Sequence, residues 1–166
     1  MERIRDYRFS TLIEEAYDWI PHSIARRLEH VHFLTGVDPV YVGLYDCNLG
    51  EMYDWTGETG WAAQAVSPYF QLTLPKNKRH PTIVIPEMIP IFSVIHELGH
   101  CLDEIIWYDN VPKPVTSYAK TDEVEAFAEA FVSWLVWDYG DRPDDATLAL
   151  FRSLLTDEEL RDAVNL

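Results

Sequence analysis

From Arg8 to Leu34 apolar residues recur at helical spacing, at Leu12, Ala16, Trp19, Ile20, Ile24, Leu28 and Val31. Pro21 predicts a kink or break inside that run, and Gly36, Asp38 and Pro39 mark a turn after it. The pattern then shortens to β-like runs: VYVGLY at 40–45, EMYDW at 51–55, WAAQAV at 61–66, YFQLTL at 69–74 and TIVI at 82–85. Gly50, the GETG at 57–60, Pro68 and the PKNKRHP at 75–81 separate them.

Helical spacing returns at Pro90, which suits a first helical turn, and nothing breaks it before about Asp109. Its apolar stripe is Ile91, Ile95, Leu98, Leu102 and Ile105. VPKPVTSYAK, with two prolines, reads as a loop. Thr121 is the expected N-cap of a second long helix, with Asp122 and Glu123 in the first turn, where the helix dipole favours anions. That helix is expected to reach about Tyr139, with Gly140 ending it. Asp144 or Asp145 caps a further helix through Leu155, and Thr156 caps a last short one. Strands first and helices later predict an α+β fold, and a chain of 166 residues suits a single domain spanning 1–166.

Residues 96–100 read HELGH. On a helix, positions four apart lie about 40° from each other, so His96 and His100 project side by side, away from the apolar stripe. Two imidazoles so placed can bind one Zn²⁺, and Glu97 beside them can take a proton from a metal-activated water as it attacks a carbonyl. Gly99 weakens the helix by about 1 kcal/mol against alanine, which predicts the close approach of another backbone there.

Catalytic zinc takes a third protein ligand. His22, His30, His32 and His80 show no comparable spacing. EVEAFAEAF, at 123–131, supplies better candidates. Relative to Glu125, Glu129 lies about 40° round the helix, Glu123 roughly 160° and Asp122 about 60°. Val124, Phe127, Ala128, Phe131 and Leu135 fill a separate apolar arc. Glu125 and Glu129 thus share an otherwise apolar face, where a buried pair of like charges needs a cation or donors. Glu125 is the expected ligand, and Glu129 the carboxylate that steadies a ligating histidine from behind. The reverse assignment and a solvent-facing Glu129 stay open.

HELGH followed by VTSYAKTDEVEAFAEAF resembles the catalytic domain of anthrax lethal factor and its relatives, including the Pro-Pro endopeptidases. That family pairs an HExxH helix with a later stretch similar to S-Y-x-x-T-x-x-x-E-x-F-A-E-A-F. The resemblance covers about 96–132 and is weak before 80. It implies a zincin-like fold, with an N-terminal helix, a small twisted mixed β-sheet, an active-site helix, a Glu-ligand helix and short C-terminal helices. It implies a zinc endopeptidase in which His96, His100 and Glu125 bind zinc, Glu97 is the general base and Tyr118 stabilises the oxyanion. A phenol on a loop at a cleft can donate to such a developing charge. The lethal factor's receptor-binding and substrate-docking regions have no counterpart in this length. Zincins commonly pair an extended peptide with an edge strand. WAAQAV or YFQLTL could supply it, with Trp61 as a substrate-contacting wall.

Charge narrows the partners. Thirteen basic against 28 acidic residues give a net charge of −15, which disfavours nucleic acid and anionic membrane surfaces; the resemblance implies a peptide or protein substrate. An apolar fraction of 48% argues for a packed core rather than disorder. No run approaches eighteen apolar residues, and MERIRDYRFSTLIEEAYDWI lacks a signal peptide's apolar core, so a cytoplasmic location is expected. Cys47 and Cys101 are then expected as reduced thiols. Two other readings compete with the peptidase. One is a catalytically silent zinc-binding interaction module; the other is an acidic decoy for a DNA-binding protein.

Overall fold

The computed structural model describes residues 7–36, 64–66, 80–85 and 87–162. Helix α1 (Tyr7–Asp18) buries Phe9, Leu12 and Ala16, and α2 (His22–Arg27) buries Ile24. Pro21 stands immediately before α2 in extended conformation, so it breaks the run rather than kinking it. The helical run also ends earlier than its spacing predicts. Leu28 closes α2, and His32–Thr35 is a strand, β1. Val31 and Leu34 fit a helical period by coincidence, and tertiary pairing decides between the two structures.

β1 pairs in parallel with β3 (Thr82–Ile85), from His32 opposite Thr82 to Thr35 opposite Ile85. β2 (Gln64–Val66), the end of the WAAQAV run, pairs antiparallel on the other side, giving the order β1-β3-β2. All four residues of β3 are buried, as a continuous TIVI run demands of a central strand. The expected strands at 40–45, 51–55 and 69–74, with Trp61 and Cys47, lie outside the described residues.

Helix α3 (Ile91–Asp103) carries HELGH and stops six residues short of the expected Asp109. The amides of Ile105 and Ile106 both bond the Leu102 carbonyl, and the Tyr108 hydroxyl donates back to the Asp103 carboxylate at 2.5 Å. The chain therefore tightens and turns, leaving Ile105 44% exposed and outside the apolar stripe.

A 3₁₀ turn (Tyr118–Lys120) precedes α4 (Glu123–Leu135). Asp122, not Thr121, is the N-cap: its extended backbone lets the side chain accept from the Val124 amide at 2.9 Å. The Thr121 hydroxyl instead donates to the Tyr118 carbonyl. α4 ends at Leu135, four residues before the expected Tyr139, because Val136 is extended; Asp138 and Gly140 then turn the chain at positive φ. Ala126 to Leu135 are buried without interruption, so α4 is enclosed rather than presenting one apolar arc, while Val124 at its start is exposed.

α5 (Asp145–Ser153) is capped by Asp144, which accepts from the Thr147 amide. α6 (Asp157–Asp162) opens with a reciprocal cap in which Thr156 and Glu159 each accept from the other's amide.

By internal contacts the described chain divides into two compact units, one up to Ala16 and from His30 to Val94, the other Tyr17–Glu29 and from Ile95 onward. Ile83, Val84 and Ile85 with Phe9 and Leu12 give the first its apolar interior. An aromatic cluster fills the second. Phe151 meets Phe127 and Phe131 at 5.7 Å each and Trp134 at 5.0 Å, and Tyr108 stacks on Phe127. Cys101 is buried in that unit, and burial pushes its thiol pKa up to about 12. Among the described residues, no helix is long and apolar enough to cross a membrane.

Candidate metal centre

The predicted close approach at Gly99 is present. A Cβ there would stand 3.1 Å from Ala128 Cα and 3.2 Å from the Phe131 ring. With α3 and α4 so near, a side chain one position either side of Gly99 on α3 can reach α4 directly. The sequence places His100 on one side of it, and His96 one turn before His100.

The two imidazoles meet edge to face, with ring centroids 4.7 Å apart. Glu125 reaches both: its Oε2 lies 2.9 Å from His96 Nε2 and 3.3 Å from His100 Nε2. Glu129 reaches the opposite nitrogen of His96, with Oε2 3.1 Å from Nδ1. Of the three glutamates in EVEAFAEAF, Glu123 is exposed, Glu125 half-buried and Glu129 only 2% exposed. In this structure Glu125 faces both histidines, and Glu129 faces His96 together with two hydroxyl donors.

Burial favours the neutral form of His96, but the hydrogen bonds its ring donates to the Glu125 and Glu129 carboxylates overcome it and hold the imidazole pKa up at about 9. Burial likewise opposes ionisation of Glu125 and Glu129, yet His100 and His96 hold the first carboxyl well below the usual range, and His96, Tyr139 and Thr116 lower the second. Glu97 is buried, and its charge is felt at His96 and at Tyr118. Tyr118 is 53% exposed, with its ring centroid 5.9 Å from that of His96. Burial and the charge and hydrogen bond of Glu125 push its phenol up to about 12, so it stays protonated at neutral pH.

The donor set suits zinc. Donors on a tetrahedral zinc with bonds of about 2.0–2.1 Å lie roughly 3.3 Å apart; the two His–Glu125 separations are 2.9 and 3.3 Å. Among the described residues, His96, His100 and Glu125 are the one group of three possible ligands whose donor atoms all fall within 4.8 Å of one another. Ligation through His96 Nε2 would leave Nδ1–H to donate to Glu129, the usual arrangement behind a metal-bound histidine.

Sequence reasoning missed two residues here. Thr116 Oγ1 donates to Glu129 Oε1 at 2.9 Å, and the Tyr139 hydroxyl donates to Glu129 Oε2 at 2.6 Å. Each lies at least ten residues from Glu129 in the chain, so no helical or strand period links them. The signal available was chemical: a buried carboxylate with two oxygens needs more donors than one imidazole supplies.

Comparisons with models of known protein families, with curated proteins and with solved structures each returned no match.

Proposed function

We propose that the chain is a zincin-like, single-domain, cytoplasmic zinc endopeptidase that hydrolyses peptide bonds. The observation that carries this reading is the convergence of His96 Nε2 and His100 Nε2 on Glu125 Oε2, with Glu129 behind His96. The likeness of HELGH and its downstream stretch to the lethal factor and Pro-Pro endopeptidase pattern supports the same assignment.

His96, His100 and Glu125 would hold the metal. Bound zinc supplies a Lewis acid and lowers the pKa of a water molecule in the site. Glu97 takes a proton from the attacking water on its carboxylate and passes it to the leaving amine. The Tyr118 hydroxyl, kept protonated, donates to the oxyanion that develops on the scissile carbonyl. Glu129 holds His96 in the tautomer that presents Nε2. The substrate is an extended peptide or protein segment; nucleic acid and membrane lipid fit the chain's charge of −15 poorly.

A peptide library incubated with the zinc-loaded protein and with Glu97→Ala tests this. Cleavage by the wild type that falls at least a hundredfold in Glu97→Ala is expected, on the order of the loss of a general base. Equal cleavage by both refutes the peptidase. Stoichiometric zinc without any cleavage leaves the silent zinc-binding module as the reading.

A further inference from the structure

One hydroxyl joins the buried carboxylate behind His96 to the turn that carries Tyr118. Thr116 Oγ1 donates a hydrogen bond to Glu129 Oε1 at 2.9 Å and accepts one from the Ala119 amide at 3.0 Å. Glu129 is 2% exposed and Ala119 2% exposed, so neither group has water as a ready substitute. Ala119 is the middle residue of the 3₁₀ turn that begins at Tyr118. The path from His96 to that turn is therefore continuous: Nδ1 to Glu129, Glu129 to Thr116, Thr116 to the Ala119 main chain.

A second segment fixes Thr116 itself. Gly140, at φ +62°, lies so near the 115–116 backbone that a Cβ would stand 2.7 Å from both Thr116 Cγ2 and the Val115 carbonyl oxygen. The Asp141 amide bonds that carbonyl at 2.8 Å, and the Ser133 hydroxyl donates to the Asp141 carbonyl. This turn also delivers Tyr139 to Glu129. The β-branched Thr116 has few rotamers, and its methyl is held against Gly140. Its hydroxyl is thus aimed before any ligand arrives.

We infer that Thr116 is a positioning residue, which sets the Tyr118 turn against the histidine pair by tying the Ala119 amide to Glu129. The inference rests on the peptidase reading for its catalytic consequence, but not for its structural one. Tyr139 shares the grip on Glu129, but the Ala119 amide bonds Thr116, which separates the two roles at that amide. Losing Tyr139's hydroxyl loosens the carboxylate and leaves the Thr116–Ala119 bond in place; losing Thr116's loosens the carboxylate and that bond together.

The test uses the full chain as Thr116→Val, Thr116→Ser and Tyr139→Phe. Zinc affinity is read by competition with a chelator, and Ala119 amide exchange by NMR. kcat and KM are read at saturating zinc on a fluorogenic peptide chosen from the library. Thr116→Val and Tyr139→Phe should each weaken zinc binding about tenfold, the scale of lost support behind a metal ligand. Only Thr116→Val should speed Ala119 exchange, by about tenfold or more, and lower kcat about tenfold or more with KM nearly unchanged, as misplacing a catalytic group does. Thr116→Ser, which keeps the hydroxyl, should restore exchange and kcat to within about threefold of the wild type, on the same scale. Unchanged Ala119 exchange in Thr116→Val overturns the inference. So does an equal rise in Ala119 exchange in Tyr139→Phe, or failure of Thr116→Ser to rescue. If the wild type cleaves no peptide, the peptidase reading falls while exchange and zinc affinity still decide the role of Thr116.

Discussion

Replacing Gly99 by alanine places a methyl group in the contact between α3 and α4 on which the ligand set depends. Helix propensity alone favours alanine by about 1 kcal/mol. Against that, the new Cβ would stand 3.1 Å from Ala128 Cα and 3.2 Å from Phe131 Cδ1, inside the roughly 3.5–4.0 Å of ordinary carbon contact. Neither neighbour can step aside. The Ala128 atom is main chain, and Phe131 is wholly buried against Trp134 and Phe151. Overpacking of this kind costs about 1–3 kcal/mol, so the variant should lose about 1 kcal/mol net and melt ~2–4 °C lower.

The effect on metal binding should be larger in proportion. Relief of the contact needs the helices to part by a few tenths of an ångström, and zinc sites tolerate about 0.2 Å in ligand distance. Zinc affinity should therefore fall about tenfold, ~1.4 kcal/mol. Thermal unfolding of the metal-free protein followed by circular dichroism gives the first quantity, and chelator competition the second. A variant about 1 kcal/mol more stable than the wild type, with undiminished zinc affinity, would refute the reasoning.

Two further predictions concern protons. His96 must be neutral to bind a metal, yet its pKa near 9 keeps it protonated at neutral pH in the metal-free protein. Zinc uptake should then release about one proton, and affinity should rise about tenfold per pH unit until about pH 9. Calorimetry in buffers of different ionisation enthalpy counts that proton, and a count of zero contradicts the raised pKa. The same proton makes metal-free stability run the other way: whole below the ordinary histidine pKa of 6.5, and lost as pH rises through about 9. Asp144→Ala should cost about 1 kcal/mol by removing the cap of α5, with zinc affinity unchanged. Hydrogen bonds from Thr147 lower the pKa of that cap. Its contribution should be whole above the ordinary aspartate range and fade as pH falls through the depressed value, which urea titrations at several pH values would read.

Local patterns carried most of the site. His96, Glu97 and His100 are read from one turn of helix, and the phase of α4 alone separates Glu125 and Glu129 from Glu123. Gly99 announced a close approach because its propensity made no sense otherwise. What escaped was set by contacts distant in sequence. Val31 and Leu34 continue a helical period, but the parallel pairing of His32–Thr35 with β3 makes that segment a strand. The stop of α3 at Asp103 depends on Tyr108 folding back, and that of α4 at Leu135 on the turn bringing Tyr139 to Glu129. Thr121 and Asp122 both belong to the residue types that cap helices, and the backbone angles, helical at Thr121 and extended at Asp122, choose Asp122.

Zinc K-edge absorption on the zinc-loaded chain tests the metal centre most directly. One zinc per chain is expected, with imidazole nitrogen from His96 and His100 and carboxylate oxygen from Glu125 at about 2.0–2.1 Å. The imidazole signature should disappear in a His96→Ala, His100→Ala protein. A sulfur shell near 2.3 Å, or zinc whose spectrum does not change in that double variant, would contradict the assignment.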